Sequence, residues 1–219
     1  MLTSTSGAPA APWQLADALV QMITFEVDVD AALDLLPSLV ARPAPPYARV
    51  MVTSYPDSPV GPYCEAQLLL SCRYRMLPRQ YLAGSIVNSE AARVAAAANW
   101  QYASDLGDVS LVREGEGFVA VIGRGPLRIR VVSAAPAVTS PAVIRYDPTV
   151  VYRPAGDGTA LFTVSAEPAA VHEAWLAPSS TITYESGDRA DPWMRLRSKN
   201  PITATVARED RLLPEPKEA

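Results

Sequence analysis

The sequence predicts a mainly β protein of the α+β class, an antiparallel sheet or barrel crossed by a few helices. Two observations carry this. Turn-forming clusters recur at short intervals, at 43–46, 56–62, 115–117, 123–125, 155–158 and 186–191, and such spacing suits hairpins rather than long crossovers. Between them most segments have strand character and only two read as helical.

In chain order the expected strands are 20–27, 47–55, 64–75, 81–87, 118–122, 127–132, 143–152 and 160–166. The first helix is expected at 30–36, where Asp28 stands ready to cap it. The second is the alanine-rich run 89–100, with Asn88 or Ser89 as its cap. The mix of Arg, Asp and Trp at 189–197 suits a helix start at a surface and suggests no chemistry. No repeat of fixed period is present. Residues 1–12 and 213–219 carry too little apolar surface to order themselves. They predict a flexible arm and a flexible tail around one domain, 13–212.

Composition narrows the function. The chain has 219 residues, 49% hydrophobic and 19% charged, enough to bury one full core. Its net charge is −4 with the charges scattered, so no basic stripe speaks for nucleic acid. There is no run of about eighteen apolar residues and no basic segment leading into an apolar one at the N-terminus. The expectation is a cytoplasmic protein with no membrane contact. Cys64 and Cys72 share one predicted strand, which sets them roughly 26 Å apart and makes them free thiols. Lysine occurs only at Lys199 and Lys217, and histidine only at His172. A His-rich zinc site and most lysine chemistry are thereby excluded. Gly115, Gly117, Gly123 and Gly125 read as hairpin turns because they lack nucleotide-loop spacing. No metal and no cofactor are expected.

Three stretches carry a resemblance to a known family. The first is Tyr55-Pro-Asp-Ser-Pro-Val-Gly-Pro-Tyr-Cys-Glu65, the second runs from Tyr81 through Asn88 and Glu90 to Tyr102-Ala-Ser-Asp-Leu-Gly107, and the third is Val171-His-Glu-Ala-Trp175. They resemble, in order and spacing, the acetoacetate decarboxylase-like family, whose turn ends Gly-x-Tyr-x-Glu and whose later segment reads Tyr-Pro-Lys-Lys-Leu-Gly. The resemblance implies the family's cone-shaped antiparallel barrel, a homo-oligomer, and an active-site glutamate at Glu65.

The departures matter as much. In the family the first lysine of the pair forms a Schiff base with a ketone, and the second lowers its pKa. Those positions are Ser104 and Asp105 here. A second family acid falls on Val50, and a family arginine near Ala18. Lys199 lies in a polar stretch and Lys217 in the tail, so both read as solvated.

If the family pocket persists, Glu65 and Asp105 are its candidate catalytic acids, with Tyr63, Tyr102, Ser104 and Trp175 as substrate-binding groups. Carboxylates in an apolar cavity have raised pKa values and can serve as acids or bases near neutral pH. Each residue also has a plain structural reading. Glu65 can accept backbone bonds at a strand entrance, Asp105 can form a turn, and the tyrosines and Trp175 can be walls. His172 reads as structural. The first functional expectation is a Schiff-base-free enzyme of natural-product metabolism performing cyclisation, isomerisation or dehydration. With the family's cations gone, a larger, apolar, polyketide-like substrate is expected. The alternatives are a non-catalytic ligand-binding or scaffold protein and an imine-independent decarboxylase.

Overall fold

A computed structural model describes residues 7–155 and 158–218. The chain opens with β1 (Trp13–Glu26), α1 (Val29–Leu35), β2 (Tyr47–Tyr55), β3 (Tyr63–Tyr74) and β4 (Leu77–Val87). Next come α2 (Glu90–Trp100), β5 (Ser104–Leu106), β6 (Asp108–Glu114), β7 (Gly117–Arg124), β8 (Leu127–Ala134) and β9 (Ala137–Val138). A 3-10 turn (Pro141–Val143) leads to β10 (Thr149–Ala155), β11 (Gly158–Val164), β12 (Glu167–Leu176) and β13 (Ser179–Ser186). The chain ends with α3 (Pro192–Arg195), β14 (Pro201–Leu213) and β15 (Lys217–Glu218). The fold is mainly β, as the sequence predicts.

Two sheets pack face to face. The larger runs β15-β11-β10-β4-β3-β2-β1-β14-β12-β9, with β5 also paired to β4, and the smaller runs β13-β8-β7-β6. Val50, Val52, Leu68 and Ile86 of the large sheet meet Phe118, Ile122, Ile129 and Val131 of the small one in a continuous apolar core. The other face of the large sheet is covered too, by α2 and by the segment 139–148. Strands β1 and β3 are therefore buried on both faces, and they read as apolar runs rather than as clean alternation.

The first two helices start as their caps dictate. The Asp28 carboxylate accepts from the amides of Asp30 and Ala31, and the Ser89 hydroxyl accepts from the amide of Ala92. Small side chains let α2 lie close, with Ala92, Ala95 and Ala96 buried beneath it.

Several expectations need correction. β6, β13 and β14 lie where no strand was expected, and β14 is an interior strand of the large sheet, paired with both β1 and β12. The expected strand 143–152 is strand only from Thr149. Pro141 and Pro148, which lack an amide donor, hold the stretch before it out of the ladder. That stretch becomes a strap. It is tied at one end by Thr139 N–H to Ala174 C=O (2.9 Å) and at the other by Gln80 N–H to Pro148 C=O (3.0 Å).

The arm and tail are also tied down where they are described. Ala11 N–H donates to Asn99 Oδ1 (3.1 Å), and Asn99 Nδ2 donates to Pro9 C=O (2.8 Å). Trp13 packs edge-on against Trp100, whose indole N–H donates to Pro214 C=O (2.8 Å). Leu213 is buried and β15 pairs with β11. Indole surface on α2 supplies the apolar contact that composition alone did not promise. Residues 1–6 of the expected arm, residue 219, and the middle of the turn at 155–158 lie outside the described residues.

Gly107 joins β5 to β6, where an added Cβ would collide with the carbonyl oxygen of Gly123 and come within 2.7 Å of Ile86 Cγ2. Gly107→Ala is expected to lower stability by about 1–3 kcal/mol, read as a shift in the urea midpoint. An unchanged midpoint would mean that β6 and β7 separate there at no cost.

Candidate active site

The face of the large sheet opposite the small one carries an enclosed cavity. Side chains of alternate residues on β2 and β3 point into it, namely Met51 and Tyr55 from β2 and Tyr63, Glu65, Gln67 and Leu69 from β3. Ala92, Ala96 and Trp100 of α2 form one wall, Tyr146 and Asp147 of the strap another, and Arg211 of β14 closes it. The remaining free volume is about 30 Å³, room for about two waters.

Glu65 is the buried carboxylate of this cavity. It is 7% exposed, and its Oε1 accepts from Gln67 Nε2 (2.9 Å) and from Ser85 Oγ (3.2 Å). Both donors go to Oε1, which leaves Oε2 without a protein donor among the described residues. Burial pushes the Glu65 carboxyl above its ordinary range, against the opposing pull of the Gln67 bond, the Arg211 charge and the Ser85 bond. A base of this kind takes a proton more readily than a solvated carboxylate does.

Arg211 is the feature that the sequence did not announce. Its side chain is 1% exposed and lies 3.2 Å from the Glu209 carboxylate through Nε. Its Nη1 donates, at long range, to Tyr55 Oη (3.3 Å) and Thr53 Oγ1 (3.4 Å). The guanidinium rests 4.8 Å from the centre of the Tyr146 ring, and Tyr146 Oη donates to Glu209 Oε1 (3.0 Å). Nε makes no aligned hydrogen bond, and neither does Glu209 Oε2. Burial opposes charge on Arg211, yet Tyr55, Tyr146, Glu209 and Glu65 around it outweigh that and raise its pKa above the ordinary value, the carboxylates through charge and the neutral phenols through their dipoles. Burial likewise raises Glu209, checked by Arg211 and Tyr146. Arg49, 11% exposed at its side chain, adds a second cation at the rim, 3.7 Å from Asp147. The expectation of a cavity stripped of positive charge is overturned.

Burial also moves the phenols upward. Tyr55 is pushed up to about 12, and Tyr63 and Tyr102 rise as well. All three are neutral hydrogen-bonding walls at ordinary pH.

The predicted site residues divide. Glu65, Tyr63 and Tyr102 border the cavity together. Ser104 is buried just behind them, where its hydroxyl bonds that of Ser85 (2.8 Å), the same group that donates to Glu65. Asp105 does not converge on Glu65. It is one residue further along β5, so it points the other way, half-exposed, and pairs with Arg124, which also holds Asp191. Asp105→Asn is therefore expected to leave any turnover within about twofold and to cost under about 1 kcal/mol, as for a solvated ion pair. A steady-state assay and a melting curve check this. Trp175 is also elsewhere, in the core between the sheets with its ring 5.2 Å from that of Phe118. His172 is at the surface, 3.0 Å from Asp210.

Both lysines stand outside the cavity. Lys199 is exposed and pairs with Asp28 (2.9 Å), and Lys217 is exposed on β15. Cys64 and Cys72 are free thiols, as expected. Among the described residues no three His, Cys, Asp or Glu side chains gather as a metal site, and no helix is long and apolar enough to cross a membrane.

Comparison with known proteins matches this architecture. A solved structure from work on acetoacetate decarboxylase aligns with a TM-score of 0.86 at 19% identity, covering 97% of this chain and 91% of that one. The acetoacetate decarboxylase of Legionella pneumophila subsp. pneumophila str. Philadelphia 1 aligns at 0.84 and 19%, covering 100% and 90%. The enduracididine biosynthesis enzyme MppR, complexed with pyruvate, aligns at 0.78 and 16%, covering 97% and 91%. No curated protein gives a significant match. These likenesses establish the fold, and the family profile of acetoacetate decarboxylase (ADC) matches residues 2–217. The chain belongs to the acetoacetate decarboxylase family.

Proposed function

We propose that this protein is a Schiff-base-free acid/base enzyme acting on a small carbonyl compound, with Glu65 as the proton-transferring group and Arg211 as the charge that stabilises the enolate. The observation that supports it most is the state of Glu65, a desolvated carboxylate with Oε1 fixed by two donors and Oε2 left open to a ligand. No lysine reaches the cavity, so carbonyl activation falls to the Arg211 guanidinium rather than to an imine.

In the proposed step Glu65 Oε2 takes a proton from the carbon next to the carbonyl. The C–H electron pair forms a carbon–carbon double bond, and the carbonyl π pair moves onto oxygen as an enolate facing Arg211. Return of the proton to another carbon gives isomerisation. Loss of a β-hydroxyl, protonated as it leaves, gives dehydration.

The cavity's size and its cations favour a compact, oxygen-rich substrate over the apolar, polyketide-sized one expected from sequence. A natural-product role rests on the likeness of fold to MppR, described as an enduracididine biosynthesis enzyme. One observation favours the non-catalytic alternative: with about 30 Å³ free, even a small keto acid enters only if a lining ring turns aside.

The test is exchange of α-protons for deuterium in heavy water, followed by NMR over a panel of small keto acids and β-hydroxy ketones. Enzyme-dependent exchange in the wild type that is lost in Glu65→Gln supports the reading. Exchange at the wild-type rate in the variant removes Glu65 from the chemistry, and a panel that is bound but never exchanged favours the non-catalytic binder.

A further inference from the structure

A second cavity lies on the opposite face of the same sheet, at the mouth of the core between the sheets. It is an open cleft of about 370 Å³, within the range of small-ligand pockets and far larger than the space beside Glu65. Its apolar surface comes from Leu19, Phe118 and Trp175, and its charged groups are Asp17, Arg113, Glu173 and Arg208.

The charged groups are placed there by irregularities in the ladders. β1 and β14 slip register between Leu15 and Ala18, and Asp17 at that slip takes φ 55°, a left-handed conformation that Asp tolerates better than most residues. β12 and β14 slip between Val171 and Glu173. Bulges of this kind re-aim side chains. The result is that two carboxylates flank one guanidinium: Arg208 Nη1 donates to Asp17 Oδ1 (2.7 Å), while its Nε and Nη2 donate to Glu173 Oε1 (3.0 and 2.7 Å). That trio carries a net charge of −1. Arg113, whose guanidinium lies 5.7 Å from the centre of the Phe118 ring, has no acidic partner among the described residues. The cleft thus offers an exposed cation, an anionic trio and between them an apolar wall, in which Leu19 is half-buried and the edges of the buried Phe118 and Trp175 rings show.

We infer that this cleft is a second binding site, for a small zwitterion with an apolar body, of the chemical class of a free apolar amino acid. Its carboxylate meets Arg113, its ammonium meets the Asp17–Arg208–Glu173 trio, and its apolar side chain lies along Leu19 and the exposed edge of Trp175. Charge complementarity at both ends sets the class: a simple carboxylate leaves the trio unanswered, and a simple amine leaves Arg113 unanswered. None of these residues borders the Glu65 cavity, so the inference stands independently of the reading above.

The test is calorimetric titration of the full chain with L-phenylalanine, 3-phenylpropionate and phenethylamine, on the wild type, Arg113→Gln and Glu65→Gln. Arg113 is exposed and has no acidic partner among the described residues, so its variant is expected to keep the fold, which a melting curve checks. The expected result is saturable binding of L-phenylalanine, weakened about tenfold or more by loss of either ligand charge or by Arg113→Gln, and unchanged in Glu65→Gln. Absence of saturable binding in the wild type overturns the inference. So does binding that survives Arg113→Gln or that disappears in Glu65→Gln, since the latter places the ligand in the other cavity.

Discussion

Replacing Arg211 by methionine is expected to lower folding stability by about 3–5 kcal/mol, the usual effect of stranding one partner of a buried ion pair. Glu209 is fully buried, and its near partners in the structure are Arg211 and the Tyr146 hydroxyl. With the guanidinium gone, a carboxylate is left in an apolar setting, and the Tyr55, Thr53 and Tyr146 contacts go with it. The companion variant separates these losses. Arg211→Met combined with Glu209→Gln removes the stranded charge and is expected to recover a large part of the deficit. Urea denaturation reads both. A single variant that melts at the wild-type midpoint would show that the pair is not a buried, charged unit.

Glu65→Gln is expected to cut α-proton exchange by about 10²–10⁴-fold, the range for a positioned general base, and at the same time to make the fold more stable at neutral pH. The sign follows from the raised pKa of Glu65. Its folded-state value lies above the unfolded one, so the folded chain holds the proton more tightly. That contribution is fully present below the unfolded pKa and is lost as pH rises through the folded value. The neutral amide escapes the loss. Variant and wild type should therefore unfold alike in acid and diverge towards neutral pH, with the variant ahead, while wild-type exchange rises with pH as the carboxylate forms. A variant that is less stable at neutral pH would mean that Gln67, Ser85 and Arg211 more than compensate the buried charge.

The legible parts of this protein were those governed by local chemistry. Asp28 and Ser89 cap helices because short polar side chains before an apolar run have little else to do, and β2 spans the predicted 47–55 because its flanking turns bound it. Glu65 was visible through its motif. Arg211 and Glu209 were not, because Arg208-Glu-Asp-Arg211 reads as a solvated charge run. In the strand the four residues alternate, so Arg208 and Asp210 face outward while Glu209 and Arg211 turn inward. The faint signal was the run Thr203 to Ala207, small and partly β-branched, immediately before the charges. Asp105 misled in the opposite direction: a motif fixes its place in the chain, but strand alternation decides which way it faces, and Ser104 took the inner position.

The strap across residues 139–148 gives the site an interchangeable part. Its two ends are pinned to the ladder, while between them Ile144, Tyr146 and Asp147 touch the sheet through side chains rather than through strand pairing. Apart from Tyr146, which holds Glu209 and Arg211, residues there are expected to be exchangeable without shifting the register of any strand that carries Glu65 or Arg211. Under the proposed function, the strap is thus the stretch of the cavity wall that a designer seeking a new substrate would diversify first.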